Sequence, residues 1–278
     1  MSTHRFDQVD VFTGTALRGN PLAVVHAAEG LADARMAELA RWTNLSETTF
    51  LLPPTLPGAD YRVRIFTPGS ELPFAGHPTL GSCFAWLAAG GRPARDDVVV
   101  QECGVGLVRV RRDGPRLAFA APPLRRRGPL PEEVLTQACA ALRLQPGEIV
   151  LHHWADNGPG WCALMLRSAA AVLALQPDWS AFGGLKIGVV GTHPAGGAAQ
   201  FEVRAFAPDL GVKEDPVTGS LNAALACWLI DAGLAPPSYV AAQGTALGRA
   251  GRVHVDRDGE GTWIGGEVVS CVQGTLTL

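Results

Sequence analysis

Tyr61-Arg62-Val63-Arg64-Ile65-Phe66-Thr67-Pro68 returns as Phe201-Glu202-Val203-Arg204-Ala205-Phe206-Ala207-Pro208, 140 residues further on in a chain of 278. The first copy alternates apolar and polar residues, the period of a half-buried strand. Each copy is followed by a glycine-bearing turn and a long apolar run: Ala75-Gly76-His77-Pro78-Thr79-Leu80 after the first, Thr218-Gly219-Ser220-Leu221-Asn222 after the second. Further on, Gln101 to Gly114 is echoed by Gln243 to Gly259, with Val-Arg-Val against Val-His-Val before a charged Asp-Gly turn. A period of half the chain is too long for a solenoid, whose repeats run ~20–50 residues. It marks a duplicated domain and predicts two related halves with a site in the cleft between them.

Composition agrees with two cores. The length suits about two domains, and 47% hydrophobic residues supply the apolar material. The boundary is expected near Pro122–Pro131. This gives halves at 1–123 and 124–278, with room for the final strand to pack back on the first half. A net charge of −3 gives no field for nucleic acid. The basic cluster Arg125-Arg126-Arg127 reads as a solvated linker. The first twenty residues hold Asp7, Asp10 and Arg18 without a continuous apolar run, which argues against a secretory leader. No apolar stretch reaches the ~20 residues of a membrane span. Six scattered cysteines with no C-x-x-C spacing fit reduced thiols in a cytoplasmic protein and no zinc site.

Strands are expected at Phe6–Phe12, Leu22–Val25, Thr48–Leu52, Tyr61–Phe66, Val98–Gln101, Leu107–Val110 and Leu117–Ala120. In the second half they are expected at Cys162–Leu166, Lys186–Val190, Phe201–Ala207, Arg252–Val255, Thr262–Ile264 and Val268–Leu278. Residues 31–43 have helical spacing, with Leu31, Met36, Leu39, Ala40 and Trp42 on the apolar face, and 131–144 form a second helix behind a proline. Two further helices, Thr79–Ala89 and Leu221–Leu234, carry apolar residues on nearly every side, which requires burial all round. A curved sheet wrapped around each satisfies that. The class is α+β: two pseudo-symmetric halves, each a barrel-like, mostly antiparallel sheet around a central helix.

The first four N–H groups of a helix have no internal partner, and the dipole leaves positive charge there. Gly76 and Gly219 open the two central helices and let a ligand approach the backbone closely, so a carboxylate or enolate can bind without Lys or Arg. His77 and Ser220 occupy equivalent positions beside them if three residues are inserted before Thr218. Asp215 lies four residues ahead of Gly219. Glu47 enters an apolar strand, where partial desolvation suits proton transfer. Each has a plainer alternative: turn glycines, a packed His77, a capping Ser220 or Asp215, an exposed edge Glu47.

The strings Asn20-Pro21-Leu22-Ala23-Val24, Asn44-Leu45-Ser46-Glu47-Thr48, Phe74-Ala75-Gly76-His77-Pro78-Thr79-Leu80-Gly81 and Glu214-Asp215-Pro216-Val217-Thr218-Gly219-Ser220 together resemble the PhzF-like family of phenazine biosynthesis. That family is similar in fold to diaminopimelate epimerase and proline racemase. The resemblance implies an isomerase that acts by acid/base chemistry, with Glu47, His77 and Asp215 catalytic and Gly76, Gly219, Ser220 and Asn20 binding substrate. The epimerases of this fold use a cysteine at each central helix start. Here Ala75 precedes Gly76, no cysteine lies in 215–218, and Cys83 and Cys227 lie about two turns into the helices, so a two-thiol mechanism is excluded.

The expected activity is therefore a cofactor-independent isomerase moving a proton on a small carboxylate substrate, with no metal, no nucleic-acid or membrane partner, and a homodimeric state. Two alternatives stand beside it: a lyase or dehydratase sharing the first proton abstraction, and a catalytically silent ligand-binding or interaction protein. Gly183-Gly184-Leu185-Lys186-Ile187-Gly188 lacks the phosphate-loop arrangement, and no G-x-G-x-x-G joins a strand to a helix. His152-His153 read as structural or exposed.

Overall fold

The computed structural model describes residues 2–278. Its elements in chain order are β1 (Thr3–Val11), β2 (Asn20–Val25), α1 (Asp33–Thr43), β3 (Thr48–Leu52), β4 (Tyr61–Phe66), β5 (Glu71–Leu72), α2 (Gly76–Ala88), β6 (Val98–Cys103), β7 (Gly106–Asp113) and β8 (Arg116–Ala120). There follow α3 (Glu132–Leu142), β9 (Ile149–Trp154), β10 (Trp161–Leu166), α4 (Ala169–Leu173), β11 (Lys186–Thr192), β12 (Phe201–Ala207), β13 (Val212–Asp215), α5 (Gly219–Asp231), β14 (Ser238–Gln243), β15 (Gly251–Asp258) and β16 (Gly261–Thr277). The chain forms two compact units, Met1–Ala120 with Gly265–Leu278, and Ala121–Ile264. Strand β16 contributes its first residues to the second unit and the rest to the first.

In the first unit the strands run β1-β2-β3-β4-β6-β7-β8-β16, and β16 pairs back on β1 to close an eight-stranded barrel. The pairs β2–β3 and β4–β6 are parallel. Helix α2 occupies the interior, touching β1, β2, β3, β6, β7 and β8. At Gly81 a Cβ would meet Leu22 Cδ2 at 2.6 Å and Val11 and Val9 methyls at 3.0 and 3.1 Å. Helix and barrel wall approach that closely because Gly81 has no side chain. Residues Gly76–Cys83 are all buried, but Phe84, Trp86 and Leu87 are only partly so. Burial all round therefore holds for the first two turns, and the last emerges at the barrel mouth. On the barrel's outer face α1 packs Met36, Leu39 and Ala40 against Val25, Phe50 and Phe66. Each large side chain buried there contributes ~1.5–3 kcal/mol. Trp42, assigned by spacing to that face, is instead 78% exposed; it sits near the helix end, just before the left-handed cap at Asn44.

The second unit repeats the connectivity. Its order is β16-β15-β14-β12-β11-β10-β9, with β10–β11 and β12–β14 parallel as β2–β3 and β4–β6 are, and with β13 beside β12 as β5 is beside β4. Helices α3 and α4 cover one sheet face through Leu142, Val172, Leu164, Val189 and Phe206. Strands β9 and β14 lack clear alternation and do not stand out in the sequence.

His152 and His153 are structural. The Gly128 N–H donates to His153 Nε2 at 2.9 Å, the Leu130 N–H donates to His152 Nδ1 at 3.0 Å, and the His153 ring stacks on Trp228. The Arg125–Arg127 stretch is exposed but not simply solvated: Arg126 lies 3.4 Å from the centre of the Trp154 ring, a cation–π contact. Among the described residues no helix is long and apolar enough to cross a membrane.

Candidate active site

Four of the seven sequence-selected residues belong to the first unit. Gly76 is the first residue of α2 and His77 the second, behind an extended Ala75 with no side-chain cap. His77 is buried, and desolvation pushes its pKa down to about 3 despite a hydrogen bond to the Pro21 backbone. The ring is neutral at pH 7. Its Nδ1 lies 3.4 Å from Nδ2 of the fully buried Asn20, which opens β2. On the other side its Nε2 lies 3.4 Å from Glu47 Oε2. Glu47 ends the short link between the αL cap at Asn44 and the start of β3, and its side chain is 15% exposed. This removes the exposed-edge alternative. Because the imidazole is neutral, the pair is a carboxyl group against a polar ring and not an ion pair.

The other three belong to the second unit. Gly219 and Ser220 are the first and second residues of α5, so Ser220 and His77 hold the same place on the two central helices. Asp215 ends β13 opposite Ala205 of β12. The neighbouring buried pair holds that strand: Arg204 Nε and Nη2 donate to the two oxygens of Glu214 at 2.8 Å each, and Nη1 donates to the Leu175 carbonyl at 2.9 Å. Thr218 caps α5 in sequence but not as a side-chain acceptor; its hydroxyl donates to Asp215 Oδ2 at 2.7 Å. Ser220 Oγ accepts from the Trp161 indole at 3.0 Å, and its carbonyl accepts from Asn157 at 2.9 Å. An indole N–H only donates, so the Ser220 hydroxyl proton is left to point elsewhere.

Neither helix start carries a thiol. Ala75 and Thr218 stand at the caps, Cys83 is buried inside α2 with its pKa driven far up by desolvation, and Cys227 is raised for the same reason. Among the described residues no three His, Cys, Asp or Glu side chains gather as metal ligands would.

Residues 9–274 match the family described as phenazine biosynthesis-like protein, PhzC-PhzF. The chain belongs to that family. A Schizosaccharomyces pombe protein named antisense-enhancing sequence 1 is 36% identical over 99% of both chains. The trans-2,3-dihydro-3-hydroxyanthranilate isomerase of Pseudomonas aeruginosa is 35% identical over 96% of this chain and 95% of its own. A PhzF-family crystal structure from Enterococcus faecalis superposes with a TM-score of 0.82 at 25% identity, covering all of both chains. The protein is thus a PhzF-type isomerase with an epimerase-like α+β fold.

In this PhzF-type chain, sequence reading missed the polar frame behind the second helix start. Gln243, fully buried at the end of β14, accepts from the Thr218 N–H at 3.0 Å and from Asn222 Nδ2 at 2.8 Å, and donates to Thr218 Oγ1 at 2.9 Å. The signal available was Gln243-Gly244. Gly244 has φ 89°, and a Cβ there would meet the Pro216 carbonyl at 2.7 Å. The turn after Gln243 thus packs on the Asp215-Pro216 segment. The two echoed segments begin at different heights in their sheets. Gln101 pairs with Tyr61, whereas Gln243 pairs with Val203, and Ala241 is the residue opposite Phe201. With Tyr61 and Phe201 aligned, Gln243 stands one side-chain layer further along its strand.

Proposed function

We propose that this isomerase moves a proton on a small carboxylate substrate by acid/base catalysis, without a cofactor, with Glu47 as the group that takes and returns the proton. The observation that carries this reading is the approach of Glu47 to 3.4 Å from a buried, neutral His77 at an uncapped helix start. A carboxylate removed from bulk water is a stronger base, and general acid/base catalysis contributes ~10²–10⁴-fold. The neutral ring has one N–H and one lone pair to hydrogen-bond reacting groups without adding a charge.

Charge that develops on the substrate is met by helix-start N–H groups, as at other anion sites. Gly76 and Gly219 admit the substrate to those groups. Asn20 holds His77, and Asp215 and the Ser220 hydroxyl bind and polarise the substrate. Relatives named for trans-2,3-dihydro-3-hydroxyanthranilate make that compound, itself a carboxylate, the first substrate to try.

The test is incubation with that compound, and with a panel of small carboxylic acids, in deuterated water. Isomerised product carrying solvent deuterium supports the reading. Binding without exchange contradicts it, and exchange with loss of water makes the enzyme a lyase. We further propose a homodimer, supported by β9, the last strand of the second unit's sheet, whose outer edge offers pairing groups, and a cytoplasmic location, supported by six cysteines that are all free thiols.

A further inference from the structure

We propose that Gln243 is a positioning residue: it fixes the Thr218 hydroxyl as a donor to Asp215 and thereby holds that carboxylate as a hydrogen-bond acceptor. This rests on the assignment of Asp215 to the active site.

The orientation of the Gln243 amide is set by partners that allow no choice. The Thr218 backbone N–H only donates and lies 3.0 Å from Oε1; the Asp215 carbonyl only accepts and lies 3.1 Å from Nε2. Oxygen and nitrogen cannot be exchanged without breaking both contacts. With Nε2 also donating to Thr218 Oγ1 at 2.9 Å, that oxygen is an acceptor on one side. Its own proton goes to Asp215 Oδ2 at 2.7 Å. Asn222 Nδ2, donating to Gln243 Oε1 and to the Thr218 carbonyl, uses the last acceptor position of the amide. The donor direction therefore runs from Gln243 through Thr218 to Asp215, and a hydrogen bond to the charged form of a carboxyl favours that form.

The first unit shows what such a glutamine does when it only supports a helix. Gln101 accepts from the Tyr61 hydroxyl at 2.7 Å and donates to Thr79 Oγ1 at 3.0 Å, the fourth residue of α2, as Asn222 is the fourth of α5. There the cap is Ala75, with no hydroxyl to relay. In the second unit the glutamine lies one layer further along and the cap is Thr218, so the same support extends to a carboxylate. The charged residues on the elements beside Asp215 include Lys213 and Glu214 on its own strand, Arg204 of β12 engaged with Glu214, and Arg249, whose Cβ lies against the Gly244 turn. None of them is altered by changes at Thr218.

The experiment is a 13C NMR titration of the Asp215 carboxyl in the full-length protein, compared across Thr218→Val, Thr218→Ser and Gln243→Met. Thr218→Val is isosteric and should move the Asp215 titration up by about half to one pH unit, the equivalent of one net hydrogen bond. Thr218→Ser, which keeps the hydroxyl, should restore the wild-type curve. Gln243→Met should shift it in the direction of Thr218→Val; if that variant does not fold, the Thr218 pair carries the test. A Thr218→Val titration superimposable on wild type overturns the proposal. Asp215→Asn separates the two layers of the argument: unchanged turnover removes Asp215 from the mechanism but leaves the titration result to judge the Gln243 relay.

Discussion

His77 Nε2 and Glu47 Oε2 stand 3.4 Å apart, and the ring is held neutral by burial. A carboxyl group and a neutral imidazole are thus placed side by side at the start of an interior helix, with no charge on the ring to pin the carboxylate. A protonated His77 would form a tight ion pair with Glu47 and make it a poorer base. The burial that lowers the His77 pKa prevents that ion pair.

That burial predicts acid sensitivity. Burial lowers the His77 pKa from 6.5 to about 3 in the folded protein, so below pH 6.5 the unfolded chain takes up a proton that the folded chain resists. The part of the stability that rests on a neutral His77 is fully present above that pH and is lost progressively as pH falls toward 3. His26, also lowered by desolvation, acts in the same direction. Replacing His77 with Gln should narrow the gap in melting temperature between pH 7 and pH 4.5, measured by calorimetry; an unchanged gap would contradict the assignment.

Gly81 tests the interior placement of α2. A methyl group there has 2.6 Å to Leu22 and 3.0 Å to Val11, so Gly81→Ala forces the helix off the barrel wall. The gain in helix propensity, about 1 kcal/mol, is outweighed by an overpacking cost of ~1–3 kcal/mol. Urea unfolding should show net destabilisation, and a stabilised variant would refute the close contact.

Much of this was legible in the sequence, for identifiable reasons. The repeat from Tyr61 and Phe201 exposed the duplication because its apolar positions stay buried in both copies, although β4 is half-buried and β12 is buried on both faces, with Glu202 and Arg204 inside. The central helices were legible because a helix apolar all round has nowhere to go but inside. Trp42 was misplaced because periodicity names a face but does not say where the covering sheet ends. Gln243 and Trp161 were missed because a buried glutamine or indole becomes part of a site only through partners distant in sequence: Gln243 through Thr218, 25 residues away, and Trp161 through Ser220, 59 residues away.

Trp161 gives a specificity test. Its indole donates to Ser220 Oγ and so orients the hydroxyl. Trp161→Phe keeps most of the packing and removes the donor, a loss of ~0.5–1.5 kcal/mol. KM should rise by roughly 2- to 10-fold with kcat less affected, and steady-state kinetics showing no change in KM would remove Ser220 orientation from the account.

The proposed homodimer is checked by light scattering at micromolar concentration. A mass near twice 29.2 kDa is expected, and a value near 29.2 kDa itself would reject it.

The central claim is that Glu47 carries the proton, and the direct measurement is turnover and substrate affinity of Glu47→Gln beside wild type. The amide is nearly isosteric and still hydrogen-bonds, but it cannot take up and return a proton. Turnover should fall by ~10²–10⁴-fold with little change in the dissociation constant, and deuterium incorporation from solvent should fall with it. A Glu47→Gln enzyme that keeps turnover within a few-fold of wild type would contradict the mechanism.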